Sequence, residues 1–151
     1  MATVDLRAAT PDDYGFAFRV HCAAMRPSVE PTFGWDEDCQ ARYFQLHFDP
    51  RARQIIRFEG VDVGLLSVEE RDDALFLGSI EILPRYQGRG IGTTLIRQLQ
   101  RRAEESGLPL RLQVLKTNRA RELYERLGFI VTGETETHHH MTWADRTQDR
   151  P

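Results

Sequence analysis

The order of strand-like and helix-like segments predicts an α+β fold, in which about four helices flank one mixed, mostly antiparallel sheet. Three observations support this prediction. Short turn signals join strand-like runs in the middle of the chain, as in antiparallel hairpins. A Gly-rich turn at residues 85–92 joins a strand to a long helix, which is typical of a single crossover connection. The 151 residues are enough for one domain with a buried core but too few for two.

The amino-terminal segments begin this order. Residues 4–8 alternate apolar and polar side chains, as a half-buried strand does. Thr10, followed by a proline and two acidic residues, is typical of a helix start. We expect this helix to run to about Met25 and to stop near Pro27, with a loop over residues 28–35.

The next segments predict a helix and then a hairpin. The helix should run from about Asp36 to Phe48, and its two phenylalanines, four residues apart, should pack in the core. Two extended runs follow, at residues 54–58 and 61–69. The Glu-Gly pair at positions 59–60 separates them and is a hairpin signal.

A turn at residues 71–73 leads from this hairpin into a third strand, over residues 75–83. After the Gly-rich turn, apolar residues recur at helical spacing and predict a helix over residues 93–106. Gly107 and the proline that follows it shortly afterwards should end that helix.

The carboxy-terminal part predicts a strand, a helix and an extended region. Residues 110–114 alternate as a strand, and Asn118 is a suitable cap for a helix over residues 119–127. Residues 129–142 are extended, with a turn expected around positions 132–133. The sheet should therefore contain six or seven strands.

Residues 1–144 are expected to form one domain, followed by a polar tail over residues 145–151. The hydrophobic fraction of 40% and the charged fraction of 28% are those of an ordinary globular protein. The net charge is −3, which gives no reason to expect a nucleic-acid partner. No window has the length and hydropathy of a membrane span or a signal peptide, so we expect a cytoplasmic protein that does not bind a membrane. Cys22 and Cys39 have neither disulfide nor metal-ligand spacing and should be free thiols.

The Gly-rich turn gives the clearest functional signal. Gly88, Gly90 and Gly92 let the main chain approach a ligand closely, and N–H groups at a helix start attract anions. Arg85 and Arg89 add guanidinium groups that suit phosphate oxygens. The spacing fits neither the dinucleotide fingerprint nor the mononucleotide loop, which ends in Gly-Lys-Ser/Thr. The turn predicts a pyrophosphate site; the alternative is a tight connection with no ligand.

Two segments resemble motifs of the GCN5-related N-acetyltransferase superfamily. Residues 87–92, Gln-Gly-Arg-Gly-Ile-Gly, match its acyl-CoA-binding motif Arg/Gln-x-x-Gly-x-Gly/Ala. Residues 118–129 are similar to the family segment that contains Asn, Ala, Tyr and then Gly-Phe. Residues 80–84 look like the family's fourth strand, which runs into the loop through a proline. The resemblance covers nearly the whole chain.

The resemblance implies a sheet that is splayed between its fourth and fifth strands, with the pantetheine arm of acetyl-CoA in the gap. Acetyl-CoA is then the co-substrate, and no metal is expected. The pantetheine amides would pair with backbone groups near Ile82 and Leu83, and the pyrophosphate would lie on the N–H groups of residues 87–93. The cofactor-binding residues implied in this way are Ile82, Leu83, Gln87, Gly88, Arg89, Gly90, Ile91, Gly92, Thr93, Asn118 and Tyr124.

The resemblance also implies how acetyl transfer would be catalysed. Tyr124 corresponds to the family tyrosine that donates a proton or hydrogen bond to the sulfur of CoA; the alternative is an aromatic packed in the core. Glu81, on the predicted active-site strand, is the candidate general base, with neighbours that face the other side of the strand. No Ser/His/Asp or Cys/His set is recognisable, so direct attack by the amine is favoured over an acyl-enzyme.

Other side chains remain as alternative bases: Asp36, Glu37, His138, His139 and His140. Three consecutive histidines on a strand cannot all face one site, and at most the first and third share a face. A metal site there would lack a third ligand at sensible spacing, so a surface run is expected.

The substrate pocket in this family is normally built by the loop between the first two helices and the last hairpin. Phe33, Trp35 and Asp36 are therefore candidate substrate-binding residues, suited to an amine with positive charge. The alternative for Trp35 is that it only anchors the second helix and does not contact a substrate. The expected activity is acetyl transfer to a primary amine of a small molecule or peptide through a ternary complex. The competing interpretation is a non-catalytic acyl-CoA-binding module or sensor; a homodimer is left open.

Overall fold

The computed structural model describes residues 3–144, and within them seven strands and four α-helices follow the predicted order. The polar tail predicted at residues 145–151 lies outside the described residues. The strands are β1 (Val4–Ala8), β2 (Gln54–Phe58), β3 (Val61–Glu70), β4 (Leu75–Ile82), β5 (Leu110–Leu115), β6 (Ile130–Glu134) and β7 (His138–Trp143). The helices are α1 (Tyr14–Phe33), α2 (Glu37–His47), α3 (Ile91–Ser106) and α4 (Ala120–Arg126).

The seven strands form one sheet with the order β1-β2-β3-β4-β5-β7-β6. The pairs β1–β2, β2–β3, β5–β7 and β6–β7 are antiparallel, whereas β4 and β5 are parallel. The parallel register joins Leu75–Leu77 to Leu110–Leu112, and both strands continue beyond the paired residues. The α+β prediction, with its mixed and mostly antiparallel sheet and four helices, is confirmed.

The described chain divides into two compact units. The first joins the chain up to Ser67 with Ser79–Ile91. The second joins Val68–Gly78 with the chain from Gly92 onward. The prediction of a single domain over residues 1–144 stays a prediction.

Aromatic side chains fill part of the core of the first unit. Phe44 is buried among small and aliphatic side chains that include Ala17, Val20 and Ile55. Its ring stacks on that of Phe48, with ring centroids 5.2 Å apart. Phe44 of α2 and Phe48, directly after this helix, therefore pack together at the core, as their spacing predicts.

The amphipathic helix α3 supplies buried side chains to the second unit. Leu95, Leu99 and Ala103 recur four residues apart, Ile96 lies next to Leu95, and all four are at most 6% exposed. Strand β5 adds its inward-facing leucines and valine at alternate positions, as its pattern predicts. The helix begins at Ile91 rather than at position 93, so its first turn includes the end of the Gly-rich segment.

The first helix is longer than predicted. It runs to Phe33 through Pro27 and Pro31 instead of ending near Met25, so the predicted loop over residues 28–35 is wrong for most of its length. A proline removes a helical hydrogen bond and usually ends a helix. Here the helix continues beyond Pro27, and the next residue, Ser28, is buried. The helix ends instead at a glycine with φ of 72°, whose N–H donates to the carbonyl of residue 30.

The predicted turn at positions 132–133 is also wrong. Strand β6 continues through these positions to Glu134, with a register shift against β7 between Val131 and Gly133. The chain reverses after Glu134, where the N–H of Thr135 donates to the carbonyl of His138 at 2.9 Å. A bulge and a turn carry similar Gly and Thr signals, so the local sequence does not separate them.

Two other predicted reversals are confirmed. The hairpin of β2 and β3 turns at Glu59 and Gly60, both with positive φ, as a two-residue turn requires. The next hairpin closes with the N–H of Arg71 donating to the carbonyl of Ala74 at 2.9 Å. Among residues 3–144, no helix is long and apolar enough to cross a membrane.

Candidate active site

The Gly-rich turn lies between β4 and α3 and opens toward free space. Gly88 and Gly90 have φ of 75° and 83°, values that L side chains rarely adopt. A Cβ built at either position meets no heavy atom within 4 Å. Both glycines are therefore required by the backbone conformation, and the space above them is available to a ligand. The turn fits a pyrophosphate cradle in this respect.

Hydrogen bonds within the turn hold its shape. The side-chain amide of Gln87 donates to the carbonyl of Ile82 at 2.8 Å. The backbone N–H of Gln87 donates to Pro84, and that of Tyr86 donates to Leu83. The Gln87 side chain therefore links the turn to the end of β4. The backbone N–H of Gln87 already has a partner within the turn.

The backbone groups predicted to meet the pantetheine arm already have partners. The N–H of Leu83 donates to the carbonyl of Val63 at 2.9 Å. The carbonyls of Ile82 and Leu83 each accept one hydrogen bond within the turn. Since a carbonyl oxygen has two lone pairs, each of these two can accept a second hydrogen bond from a ligand amide.

Two arginines of the turn lie close to one aromatic ring. The guanidinium carbons of Arg85 and Arg89 lie 5.2 and 5.4 Å from the ring centroid of Tyr86. Both arginines are exposed, so they are free to meet phosphate oxygens. Ile91, the first residue of α3, is only 1% exposed, which anchors the start of that helix in the core.

Tyr124 lies on α4, and Asn118, the predicted cap, accepts a hydrogen bond at the start of this helix although Arg119 holds the N-cap position. The N–H of Ala120 donates to the side-chain oxygen of Asn118 at 2.9 Å. Tyr124 follows one turn later, is 6% exposed, and its ring centroid lies 5.7 Å from that of Phe129. Burial raises the pKa of Tyr124 to about 12. The phenol is therefore protonated at neutral pH and is able to donate a hydrogen bond.

Glu81 is buried in β4 and pairs with a histidine that the sequence patterns did not indicate. Only 5% of Glu81 is exposed. Its Oε2 lies 2.9 Å from Nδ1 of His21, on α1. The other ring nitrogen, Nε2, lies 3.0 Å from Oε1 of Gln40, on α2. The sequence carries no signal for this cluster, because its members are far apart and lie on three different elements.

Aromatic rings and charges around His21 set its protonation. Its ring centroid lies 5.4 Å from Phe44 and 6.4 Å from Trp35. Burial lowers the pKa of the His21 imidazole, but the hydrogen bond and charge of Glu81, with the hydrogen bond to Gln40, raise it above its ordinary value. The pair is therefore a buried proton-binding group at the end of β4.

The predicted substrate-binding residues lie at the junction of α1 and α2. Phe33 ends α1 and is 63% exposed. Trp35 is half-buried, with the guanidinium carbon of Arg26 5.6 Å from its ring centroid. Asp36 caps α2 and accepts from the N–H of Cys39 at 3.1 Å. The capping role explains an aspartate at position 36 without any contact to a substrate.

The histidine run on β7 does not all lie at the surface. His139 is 8% exposed, whereas His138 and His140 are half-buried on the other face of the strand. Nε2 of His139 lies 2.9 Å from the guanidinium of Arg121, on α4. The expectation of a surface run is therefore wrong for His139, while the alternation of faces is as predicted. Among residues 3–144, no group of three or more His, Cys, Asp and Glu side chains is arranged to hold a metal ion.

The remaining candidates have ordinary surroundings. Glu37 and Cys39 are exposed in the first turn of α2. Both cysteines are free thiols, as predicted. Burial, followed by the charges of Glu37 and Glu81, raises the pKa of the Cys22 thiol. A thiol with a raised pKa is a poor nucleophile at neutral pH.

The turn, the buried tyrosine and the sheet agree with one class of protein. The family model for the acetyltransferase (GNAT) family matches residues 22–129. The chain belongs to this family. The resemblance seen in the two sequence motifs is thereby confirmed.

Individual relatives support the same assignment. A segment of 58 residues is 45% identical to the [ribosomal protein bS18]-alanine N-acetyltransferase of Haemophilus influenzae. That match covers 38% of this chain and 40% of the relative, so it spans less than half of the relative's length.

Solved structures show the same fold over nearly the whole chain. The PaiA N-acetyltransferase of Thermoplasma acidophilum, in complex with coenzyme A, superposes with a TM-score of 0.78 at 14% identity and covers 95% of this chain and 99% of its own. The ribosomal-protein-S18-alanine N-acetyltransferase of Escherichia coli superposes with a TM-score of 0.67 at 20% identity and covers 94% of each chain. At these identities the likeness concerns the fold.

Proposed function

We propose that this protein transfers the acetyl group of acetyl-CoA to a primary amine by direct attack. One observation carries the proposal: in a member of this family, Gly88 and Gly90 hold a left-handed turn with open space above it, directly before α3. A pyrophosphate would lie on the N–H groups of this turn and of the start of α3, with Arg89 beside it. Thr93 would complete this set in the first turn of the helix.

Tyr124 is proposed to stabilise the departing thiolate. A thiol has a pKa of about 8.5, well below the value of about 12 that burial gives to this phenol. Complete proton transfer from the phenol to a thiolate is therefore unfavourable. A hydrogen bond from the phenol to the sulfur is favourable and would lower the barrier to thioester cleavage.

Glu81 is proposed to accept the proton of the attacking amine. An ammonium cannot attack a thioester, so the enzyme must remove a proton before or during attack. A buried carboxylate on the strand that leads into the turn is suited to this task, directly or through one water. Its pairing with His21 supports the choice of Glu81 over Asp36, whose carboxylate caps a helix.

The acceptor is proposed to be an amine of a peptide or of a small cationic molecule. Two of the relatives are N-acetyltransferases of an alanine of ribosomal protein S18, which makes a peptide amino terminus the first acceptor to test. The exposed Phe33 and the half-buried Trp35 would contribute an aromatic wall. The cytoplasmic location and the homodimer stay predictions.

Thiol release from acetyl-CoA tests this proposal. The acceptors are a peptide beginning with alanine, the same peptide with a blocked amino terminus and one lysine, and a linear polyamine. We expect release that depends on one of these acceptors and that falls at least tenfold in Glu81→Gln. Binding of CoA by calorimetry, without release for any acceptor, would instead identify an acyl-CoA-binding module or sensor. Failure to bind CoA would contradict both.

A further inference from the structure

The cluster of His21, Glu81 and Gln40 contains a proton in a defined place. Gln40 presents its amide oxygen to Nε2 at 3.0 Å, so that nitrogen carries a hydrogen. Oε2 of Glu81 lies 2.9 Å from Nδ1, which is a hydrogen-bond distance, so a hydrogen must lie between these two atoms as well. The cluster therefore holds one proton more than a neutral imidazole beside a carboxylate. Removal of that proton leaves an acceptor site between Nδ1 and Oε2.

From this arrangement we infer that His21 acts with Glu81 as one proton acceptor, so that His21, as a positioning residue, sets the pH at which Glu81 can act as base. The inference rests on the proposed function of Glu81. In the reaction the N–H bond of the acceptor ammonium breaks and a bond to Glu81 oxygen forms. The proton then settles between Oε2 and Nδ1, the imidazole becomes an imidazolium, and the proton leaves to water after release of the product.

The surroundings of His21 support a single titrating unit. Glu81 faces it from β4 and favours the imidazolium, whereas the charge of Arg53, next to β2, opposes it. Gln40 and Phe44 face it from α2, and neither titrates. Cys22, its neighbour on α1, stays a neutral thiol because burial and nearby carboxylates raise its pKa. The hydrogen bond to Glu81, followed by the charge of Glu81, is thus the main influence that favours protonation of His21.

The position of Glu81 is fixed by the backbone around it. A Cβ on Gly64 of β3 would lie 2.4 Å from the carbonyl oxygen of Glu81, so only glycine allows this approach of the two strands. His21 of α1 holds the carboxylate, and Gln40 of α2 holds the other side of the His21 ring, which gives the cluster a fixed geometry. Such a geometry is what a proton-sharing pair requires, because a hydrogen bond weakens steeply with misalignment.

Two substitutions should move the pH profile in opposite directions. The rate measured is kcat/KM for one acceptor amine at fixed acetyl-CoA, from pH 5 to pH 9. His21→Gln keeps a hydrogen-bonding side chain but cannot bind the proton, so the acidic limb should move by at least about one unit to lower pH, toward the range of a lone carboxylate. Gln40→Glu places a carboxylate at Nε2, so the limb should move to higher pH.

A matched control is available on α2. His47 is exposed, with Nδ1 2.8 Å from the carbonyl of Tyr43 and its ring stacked on the Tyr43 ring. His47→Gln should leave the limb where the wild type has it. A limb that stays at the wild-type pH in either His21→Gln or Gln40→Glu would overturn the inference. So would a folded His21→Gln with no activity at any pH, because His21 would then be the indispensable acceptor itself.

NMR titration of the His21 ring decides the question without turnover. The pKa of His21 should fall in Glu81→Gln and rise in Gln40→Glu, relative to the wild type. Equal pKa values of His21 in the wild type, Glu81→Gln and Gln40→Glu would overturn the inference. This measurement does not need His21→Gln, so it remains decisive if that variant does not fold. If no amine is acetylated but these shifts are found, the proposed function fails while the proton-sharing pair stands.

Discussion

At the scale of single residues, two side chains carry the proposed chemistry and burial prepares both of them. Tyr124 is kept neutral by burial, and Glu81 is kept in place by its contact with His21. The role of Tyr124 is a prediction from the motif that contains it. Glu81 was predicted as a base from its strand alone. Its partner was not predicted, because a histidine in the middle of a helix has no distinguishing local pattern.

Tyr124→Phe tests the role of the phenol. The ring remains and keeps the packing against Phe129, while the hydrogen-bond donor is lost. We expect kcat to fall by about 10- to 100-fold, since hydrogen bonds to charged groups contribute about 1.5–3 kcal/mol. Tyr43→Phe, at an exposed site on α2, is the control. An unchanged kcat in Tyr124→Phe would show that the ring serves only the core.

At the scale of elements, most turns and caps were predictable, whereas the reversal after β6 and the length of α1 were not. The hairpin turn at Glu59, the cap at Asn118 and the Gly-rich turn all depend on a few contiguous residues. Helix α1, in contrast, continues past two prolines that a local rule takes as stops. Packing of one whole face of a helix outweighs the loss at individual positions, and packing is not visible in a short window.

Gly88→Ala should weaken acetyl-CoA binding more than it weakens the fold. The left-handed backbone costs a residue with a Cβ about 1–2 kcal/mol, and the new methyl enters the space above the turn. We expect KM for acetyl-CoA to rise at least fivefold, measured at saturating acceptor. Gly107→Ala is the matched control, because Gly107 also has positive φ, of 69°, and no atom within 4 Å of a Cβ, but lies after α3. Equal KM values for the two variants would contradict the assignment of the turn.

Gly64→Ala should destabilise the first unit by about 2–3 kcal/mol, because a Cβ there would meet the backbone of Glu81 and one of the two strands must shift. Denaturant unfolding followed by circular dichroism measures the loss. Gly133→Ala in β6 is the control, since its Cβ would lie 3.9 Å from the nearest side-chain atom. A cost in Gly64→Ala no larger than in Gly133→Ala would show that the strands separate easily at this point.

At the scale of the whole molecule, the family model that matches residues 22–129 places the chain in its family, and ion pairs contribute locally to stability. In the first unit, Arg7 on β1 bridges Asp13, before α1, and Asp62 on β3, at 2.8 and 2.9 Å. The hydrogen bond from Arg7 lowers the pKa of Asp13 to about 2, and the N–H of Thr10 also donates to its carboxylate, at 2.8 Å. This bridge joins three separate segments of the first unit.

Asp13→Asn should therefore lower stability in a pH-dependent way. The carboxylate has a lower pKa in the folded than in the unfolded protein, so its contribution is present above pH 4 and is lost as the pH falls toward 2. We expect a loss of about 1 kcal/mol at pH 7, measured by urea unfolding, and a difference that disappears near pH 2. Asp12→Asn, at the exposed neighbour, is the control. A difference that is independent of pH would assign the effect to the capping geometry instead.

The identity of the acetyl donor, acetyl-CoA, follows from the amino-acid sequence alone. Turn chemistry, glycine spacing and helix capping act within a few contiguous residues, so Gln87–Gly92 and the segment around Tyr124 carry their own local signals. Tertiary packing, in contrast, determines which groups surround Glu81. His21 is 60 positions from Glu81 and 19 from Gln40, and the three meet because α1, α2 and β4 pack together. Contacts at such separations depend on the packing of whole elements, which no local pattern encodes.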